Sequence, residues 1–340
     1  MKLRAITNVR LVLGHAVREG CVVIDGERIA GVHAGCCELP YSAEIVDGGG
    51  RLLAPGLVDI HVHGGGGYDL MSDDPEQVRG YARWIVSRGV TSFLVSTSGR
   101  DHADIERCLR AVAPAIGVDA GAARALGFHL EGPYINPVRK GAFPPQWLRA
   151  PSADEYRELS DASGGPVRQV TLAPELPGAD ALIDAVIASG ATAAIGHTDA
   201  TYGEAMRAIE RGCSHVTHTF NAMRPFGHRD PGVLGAVMTS DAVTCELIGD
   251  GAHVDFAAAR VLLRTKGARN VALVTDAMPL AGTPDGDGSW EGQPIRVEGG
   301  KAVRVSDGTI IGGVITLDQT VRNAVRHLGA PLHDAIAMAS

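Results

Sequence analysis

The chain has 340 residues, a net charge of −8 at pH 7, 45% hydrophobic residues and 21% charged residues. This length suits one large α/β barrel or two ordinary domains, and the composition is that of a globular protein rather than a disordered one. The acidic balance, without any basic cluster, excludes nucleic acid and anionic membranes as expected partners and favours a small molecule.

The six cysteines are the basis for a prediction about the compartment. They show no C-x-x-C spacing, so we expect free thiols in a reducing environment. The N-terminus has no long apolar segment, and nowhere do eighteen apolar residues run uninterrupted. We therefore expect a cytoplasmic protein with no membrane partner.

The first 55 residues carry short β patterns. Residues 5–12 and 20–29 are typical of strands, and Asp25-Gly26 is typical of a hairpin turn. We expect a small β domain over residues 1–55 and a second, larger domain over residues 56–340.

From Leu57 onward, eight apolar runs alternate with amphipathic stretches. The runs cover 57–63, 90–96, 125–131, 168–173, 191–197, 214–218, 244–249 and 271–276, and helices are predicted over 75–87, 103–113, 179–188, 203–211 and 256–264. Eight alternating units predict a (β/α)₈ barrel. A doubly wound open sheet is the alternative, but no G-x-G-x-x-G follows an early strand.

The region after the last run departs from this alternation. Residues 293–311 return to a β pattern with turns at 298–301 and 306–308, which predicts a hairpin inserted in the barrel near 290–311. A helix is expected over 317–327.

The first apolar run ends in His61 and His63, followed by four glycines, Gly64 to Gly67. Side chains alternate across a strand, so the two imidazoles lie on the same face. A buried apolar strand has little other use for two polar side chains, which indicates a metal site. The spacing alone is equally compatible with ordinary core or surface histidines.

Other strand ends carry the same kind of residue: Glu131, His197, His218 and Asp276. Each alone could be a core histidine or a helix-capping carboxylate, but all C-terminal strand ends of a barrel meet at one face. Nitrogen and carboxylate ligands without cysteine suit zinc, iron or another divalent first-row ion. The fourth run ends in Ala173-Pro174, which excludes a carboxylated lysine there and leaves Glu131 to supply the oxygen ligand.

Several longer motifs carry a family resemblance. They are HVHGGGG at 61–67, HLEGPYIN at 129–136, GHTDA at 196–200, HTFNAM at 218–223, HRDPG at 228–232, DGAHVD at 250–255 and VTDAM at 274–278. Over about residues 5–340 the chain resembles the amidohydrolase superfamily and, within it, the N-acetylglucosamine-6-phosphate deacetylase family. The resemblance implies a TIM-like barrel with a small β-sandwich domain made of the N-terminal segment and C-terminal strands.

The resemblance also implies an activity and residue roles. It implies a homodimer that hydrolyses N-acetylglucosamine 6-phosphate to glucosamine 6-phosphate and acetate with one or two divalent ions, zinc foremost. Glu131, His197 and His218 match the main metal ligands, His61 and His63 match a pair that supports a second ion, and Asp276 matches the catalytic acid/base. The positions that match substrate contacts are Ala142, Phe143, Asn221, Ala222, Arg229, His253, Ile310, Ile311 and Gly312.

Arg229 has a further implied role: it matches an arginine that reaches the sugar phosphate in the neighbouring subunit, so the dimer would share its active sites. The alternative for Arg229 is a surface salt bridge with Asp230.

Two features depart from the family pattern. Phe143 stands where some members carry a histidine. This removes a polar substrate contact, so the sequence does not fix which sugar is preferred. The chain stops at Ser340, where the family usually continues with strands of the small domain, so we expect that domain to be truncated or incomplete.

Other functions compete with deacetylation at the same centre. They are removal of an acyl group from a related N-acetyl amino sugar, cyclic amide hydrolysis and base deamination, and only 4% of the residues are aromatic, which argues against a pocket that stacks a base. A non-catalytic metal-binding barrel would be marked by loss of Asp276 or of a ligand, and none is lost.

Overall fold

The computed structural model describes residues 3–35, 39, 43–118 and 121–340. An N-terminal sheet contains four strands, β1 (Leu3–Leu13), β2 (Ala16–Asp25), β3 (Arg28–Ala34) and β4 (Glu44–Leu53), in the order β3-β2-β1-β4. β1 pairs antiparallel with β2 and parallel with β4. The predicted hairpin turn lies between β2 and β3, where Gly26 takes a φ of 60° that favours glycine.

The prediction of six free thiols is wrong for Cys21, which is disulfide-bonded. Cys108, Cys213 and Cys245 are free and buried. Cys36 and Cys37 lie outside the described residues.

Eight parallel strands form the second sheet, paired in sequence order from first to last. They are β5 (Leu57–Asp59), β6 (Val90–Thr97), β7 (Arg124–Glu131), β8 (Val167–Leu172), β9 (Thr192–Ile195), β10 (His215–Val216), β11 (Thr244–Ile248) and β12 (Val271–Val274). All eight fall within or beside the predicted apolar runs, and the predicted barrel is confirmed.

The helices surround this sheet: α1 (Pro75–Ile85), α2 (His102–Val112), α3 (Ala153–Ala162), α4 (Ala179–Ala188), α5 (Tyr202–Arg211), α6 (Gly232–Thr239), α7 (Phe256–Lys266), α8 (Leu317–Asn323) and α9 (Leu332–Ala337). Their starts follow local chemistry: Thr201 and Glu204 form a reciprocal capping box at α5. α3, α6 and α9 were not expected from the sequence. None of the helices in the described part of the chain is long and apolar enough to cross a membrane.

The barrel closes between its first and last strands through contacts near the strand ends. The buried Asp59 carboxylate accepts a 2.6 Å hydrogen bond from the Thr275 hydroxyl. The Asp276 N–H donates to the His61 carbonyl at 2.9 Å, and Val62 bridges to Ala277. This closure, which we call the seam, sets the segment of His61 directly beside that of Asp276.

An insertion follows β12. It has three antiparallel strands, β13 (Gly286–Trp290), β14 (Gln293–Glu298) and β15 (Lys301–Arg304), where the sequence predicted a hairpin. The insertion has a small apolar core of its own, consisting of Met278, Trp290, Ile295, Val297, Ala302 and Ile311.

Candidate metal centre and substrate cavity

Two groups of ligand-type side chains converge at the C-terminal ends of the barrel strands. One comprises His61, His63 and Asp276, and the other comprises Glu131, His197 and His218. In each group, one ligand atom from every residue lies within 4.8 Å of the others. The six side chains that the sequence placed at strand ends are therefore brought together at one face of the barrel.

Glu131 lies between the two groups. Its Oε1 atom is 3.2 Å from Nε2 of His197 and 3.0 Å from Nε2 of His218, while its Oε2 atom is 3.1 Å from Nε2 of His63. One carboxylate thus faces both groups with different oxygens. Asp276 approaches the centre from the other side, with Oδ1 3.3 Å from Nε2 of His63.

The donor atoms fit a divalent cation. Nδ1–H of His61 donates to Glu246 at 2.8 Å and Nδ1–H of His197 donates to the Arg139 carbonyl at 2.9 Å, so both rings present the Nε2 lone pair to the centre. Nε2 of His61 is buried and has no hydrogen-bond partner among the described residues. A cation is the natural partner for such a set of converging lone pairs.

Electrostatics favour ionised carboxylates here. Burial alone would raise the pKa of Glu131. When the rings carry protons at Nε2 in place of a cation, the charge of His61 and hydrogen bonds from His197 and His218 hold that pKa well below its ordinary value. Burial likewise opposes ionisation of Asp276, yet His61 and His63 lower its pKa below the ordinary value. Both groups are therefore negatively charged and can act as a ligand or a base.

The sequence analysis missed Glu246, which is fully buried in β11 directly behind the centre. Besides His61, its carboxylate accepts hydrogen bonds from the main-chain N–H of His218 at 2.9 Å and from Nε2 of Gln169 at 2.7 Å. It therefore contacts one residue of each group, the ring of His61 and the main chain of His218. The available signal was a lone acidic residue inside an apolar strand, Cys245-Glu246-Leu247.

Backbone conformation also distinguishes the site. His197, His218 and Asp276 have φ values of 47°, 28° and 47°, in the left-handed region that residues with a Cβ rarely adopt. Each lies two residues after the end of a barrel strand. Such strain persists where surrounding contacts fix it, and it commonly marks functional positions.

A cavity of ≈ 340 Å³ opens above the centre. It is lined by eight of the nine residues expected to contact substrate: Ala142, Phe143, Asn221, Ala222, His253, Ile310, Ile311 and Gly312. His253 is fixed by a 2.7 Å contact between its Nδ1 and the Asp250 carboxylate. The Phe143 ring lies 5.1 Å from that of His197.

Arg229 does not line this cavity and is exposed at the surface. Asp230, the partner considered for Arg229 in a surface salt bridge, pairs with Arg224 at 2.9 Å.

Eight further cavity residues were not predicted from the sequence: Ser98, Gly141, Pro144, Trp147, Trp290, Glu291, Gln293 and Thr309. Ser98 follows a strand end and was open to the same reasoning as Glu131. The other seven lie in loops or in the insertion, whose path over the barrel the sequence pattern does not reveal.

Comparison with known proteins shows which family has this architecture. The amidohydrolase family model matches residues 52–340. The N-acetylglucosamine-6-phosphate deacetylase of Lysinibacillus sphaericus is 35% identical over 295 residues, covering 87% of this chain and 76% of that protein. The N-acetylgalactosamine-6-phosphate deacetylase of Escherichia coli O157:H7 is 36% identical over 301 residues, covering 88% of this chain and 79% of that protein.

Structural comparison agrees. The N-acetyl-D-glucosamine-6-phosphate deacetylase of Mycobacterium smegmatis, solved in complex with N-acetyl-D-glucosamine-6-phosphate, superposes with a TM-score of 0.89 at 33% identity, covering 100% of this chain and 88% of that one. The chain therefore belongs to the amidohydrolase family and, within it, to the family of N-acetylglucosamine-6-phosphate deacetylases.

Proposed function

We propose that the protein hydrolyses the acetamide of N-acetylglucosamine 6-phosphate to give glucosamine 6-phosphate and acetate. The observation that carries this proposal is the convergence of Glu131, His197, His218, His61, His63 and Asp276 beneath one cavity in a chain of this family. An amide resists hydrolysis because nitrogen donates into the carbonyl, so the site must both activate water and stabilise the developing oxyanion.

The metal centre supplies that activation. A divalent ion held there would lower the pKa of water towards ~7 and polarise the carbonyl. Zinc is our first candidate because the ligands are imidazole and carboxylate, and iron or another first-row ion is the alternative. We propose Glu131, His197 and His218 as the ligands of the principal ion, with His61 and His63 supporting a second.

Asp276 is our candidate for the acid/base. Its side chain is 14% exposed, compared with 4% for Glu131, so it is the carboxylate of the centre most accessible from the cavity. Because its pKa is lowered, it is ionised and can take a proton from the attacking water. It can then return that proton to the departing amine, which is otherwise a very poor leaving group.

Substrate binding divides between the cavity and a second subunit. We assign the sugar and acetamide to the eight lining residues, with His253 as a donor. We further propose a homodimer in which exposed Arg229 reaches the phosphate in the neighbouring active site, because a guanidinium suits phosphate and Arg229 is far too exposed to act within its own cavity. The cytoplasmic location stays a prediction, and disulfide-bonded Cys21 does not support it.

A second substrate is favoured by two observations. One relative at 36% identity is an N-acetylgalactosamine-6-phosphate deacetylase, and Phe143 in the cavity wall cannot hydrogen-bond a sugar hydroxyl. N-acetylgalactosamine 6-phosphate, the 4-epimer of the first substrate, is therefore the alternative substrate.

The test is acetate and amine release by metal-loaded protein. N-acetylglucosamine 6-phosphate, N-acetylgalactosamine 6-phosphate and unphosphorylated N-acetylglucosamine are compared, with metal content measured on the same sample. We expect turnover of a phosphorylated sugar to exceed that of the unphosphorylated one. Absence of hydrolysis of all three by folded protein loaded with zinc, iron, cobalt or manganese would disprove the function.

A further inference from the structure

The tip of the insertion carries an unusual residue. The turn between β13 and β14 consists of Glu291 and Gly292, with φ values of 51° and 70°. A two-residue hairpin with both φ values positive favours Asn-Gly, because asparagine tolerates the left-handed region and glutamate does not. A glutamate in this position indicates that its side chain is needed there.

The Glu291 carboxylate bonds across the cavity mouth. It accepts hydrogen bonds from the Ser98 hydroxyl at 2.7 Å and from Nε and Nη2 of Arg100 at 2.8 and 2.9 Å. We call Ser98, Arg100 and Glu291 the clasp. The Glu291 side chain is 5% exposed, whereas Asp287, which pairs with Arg296 on the same small sheet, is 71% exposed.

The clasp joins two distant parts of the barrel. Ser98 and Arg100 follow β6, the second barrel strand, while Glu291 belongs to the insertion after β12, the eighth. A buried bidentate pair of this kind fixes geometry far better than an exposed pair. The insertion tip is thereby held over the metal centre.

The positions of two aromatic rings of the cavity wall depend on the loop that carries Ser98 and Arg100. Trp290, next to Glu291, lines the cavity with its ring 5.4 Å from that of His63. A Cβ at Gly99, between the two clasp residues of the loop, would lie 3.5 Å from the ring of Phe143. The rings of Trp290 and Phe143 thus stand beside the two metal groups, and the clasp loop supports both.

We propose that Trp290 limits the size of the acyl group accepted by the site, and that Glu291 and Arg100 are positioning residues that hold it in place. This inference rests on the proposed function. The scissile carbonyl must reach the metal centre, so the acyl methyl is the deepest part of the substrate, while the sugar phosphate extends towards solvent. Trp290 and Phe143 are buried, at 9% and 8% exposed, and both line the cavity, so we assign them to the wall around the acyl methyl.

The experiment compares N-acetyl- and N-propanoyl-glucosamine 6-phosphate as substrates of the metal-loaded protein. Glu291→Asn keeps a residue that tolerates the turn but removes the carboxylate, Arg100→Gln removes its partner, and Trp290→Phe shrinks the wall directly. We expect kcat/KM for propanoyl relative to acetyl to rise roughly tenfold in all three, which is typical of one methylene in an apolar pocket. Asp287→Asn, which breaks only the exposed pair on the same sheet, should keep the wild-type ratio.

Amide hydrogen exchange over residues 288–293 gives a readout independent of turnover. It should quicken in Glu291→Asn and Arg100→Gln but not in Asp287→Asn, because only the clasp variants release the tip. An acyl ratio unchanged to within about twofold in Trp290→Phe would overturn the role of Trp290. Unchanged exchange in both clasp variants would overturn the positioning role, even if the wild type hydrolysed neither substrate and the proposed function itself had failed.

Discussion

Asp276 is the residue of the metal centre whose removal most cleanly separates chemistry from binding. Asp276→Asn keeps the shape of the side chain, but an amide cannot accept the proton from water. We expect kcat to fall by roughly 10²-fold or more with fold and principal metal content retained. The check is steady-state kinetics together with elemental analysis, with exposed Asp307→Asn as the control. Activity within about threefold of the wild type would remove Asp276 from the acid/base role.

Substitution of Glu246 tests whether the residues behind the centre affect its affinity for metal. Glu246→Gln removes the negative charge that strengthens the hydrogen bonds accepted from Nδ1–H of His61 and from the His218 N–H. It also replaces one acceptor oxygen with an NH2 group, which cannot accept the hydrogen bond from Nε2 of Gln169. We expect metal affinity to weaken by roughly 10- to 100-fold in a chelator competition assay. Exposed Glu298→Gln is the matched control, and equal affinities in both variants would show that Glu246 only fills space.

At the scale of residues, the sequence predicted the side chains that converge at the centre better than the residues that hold them in place. His61, His63 and Glu131 stand at the ends of recognisable apolar runs, and strand periodicity is enough to find them. Glu246 acquires its role from partners in three other strands, and no local pattern encodes that meeting. Trp290 and Glu291 become cavity residues only because the insertion folds back over the mouth.

Helices with a strong hydrophobic periodicity were predicted from the sequence, whereas helices without it were missed. α4 begins and ends at the predicted residues, Ala179 and Ala188. α6 has apolar residues on all sides because it is buried all round, so it offers no amphipathic stripe. α3 had a usable signal in Ser152, whose hydroxyl accepts from the Glu155 N–H in the spacing of a capping box.

The seam between β5 and β12 is the element-scale feature most open to test. Thr275→Val removes the hydroxyl that donates to Asp59 and leaves a buried carboxylate short of a partner. Loss of such a partner costs about 1–3 kcal/mol, so the free energy of unfolding in urea should fall by that amount. Thr265→Val, on the exposed face of α7, is the control; equal stability in the two variants would mean that the seam closes without this bond.

For the molecule as a whole, metal removal should cost stability as well as activity. A ligand that binds only the folded state at about 1,000 times its Kd stabilises it by about 4 kcal/mol. We expect chelation to lower the thermal midpoint by several degrees and re-addition of zinc to restore it. An unchanged midpoint, with metal loss verified by elemental analysis, would contradict the assignment of the buried groups as ligands.

The proposed dimer can be tested by complementation. Arg229→Ala should raise KM for the phosphorylated sugar and leave the unphosphorylated one little changed, because the guanidinium contacts only the phosphate. Mixing Arg229→Ala chains with Asp276→Asn chains should restore some activity, since exchanged dimers contain a site with an intact Asp276 and the neighbour's intact Arg229. If exchange is demonstrated by mass spectrometry and no activity returns, the shared site is excluded.

Glu131 has a consequence for how metal titrations of this protein are interpreted. Because its two oxygens face different groups, ions in the two groups would share the charge of a single carboxylate and repel each other, so their binding would be thermodynamically linked. Whatever the first ion does to the affinity for the second, the second does to the first by the same factor. Under this assignment, the number of ions per chain in a preparation would depend on the free metal concentration during purification, so two preparations that differ in stoichiometry would describe one binding curve rather than two enzymes.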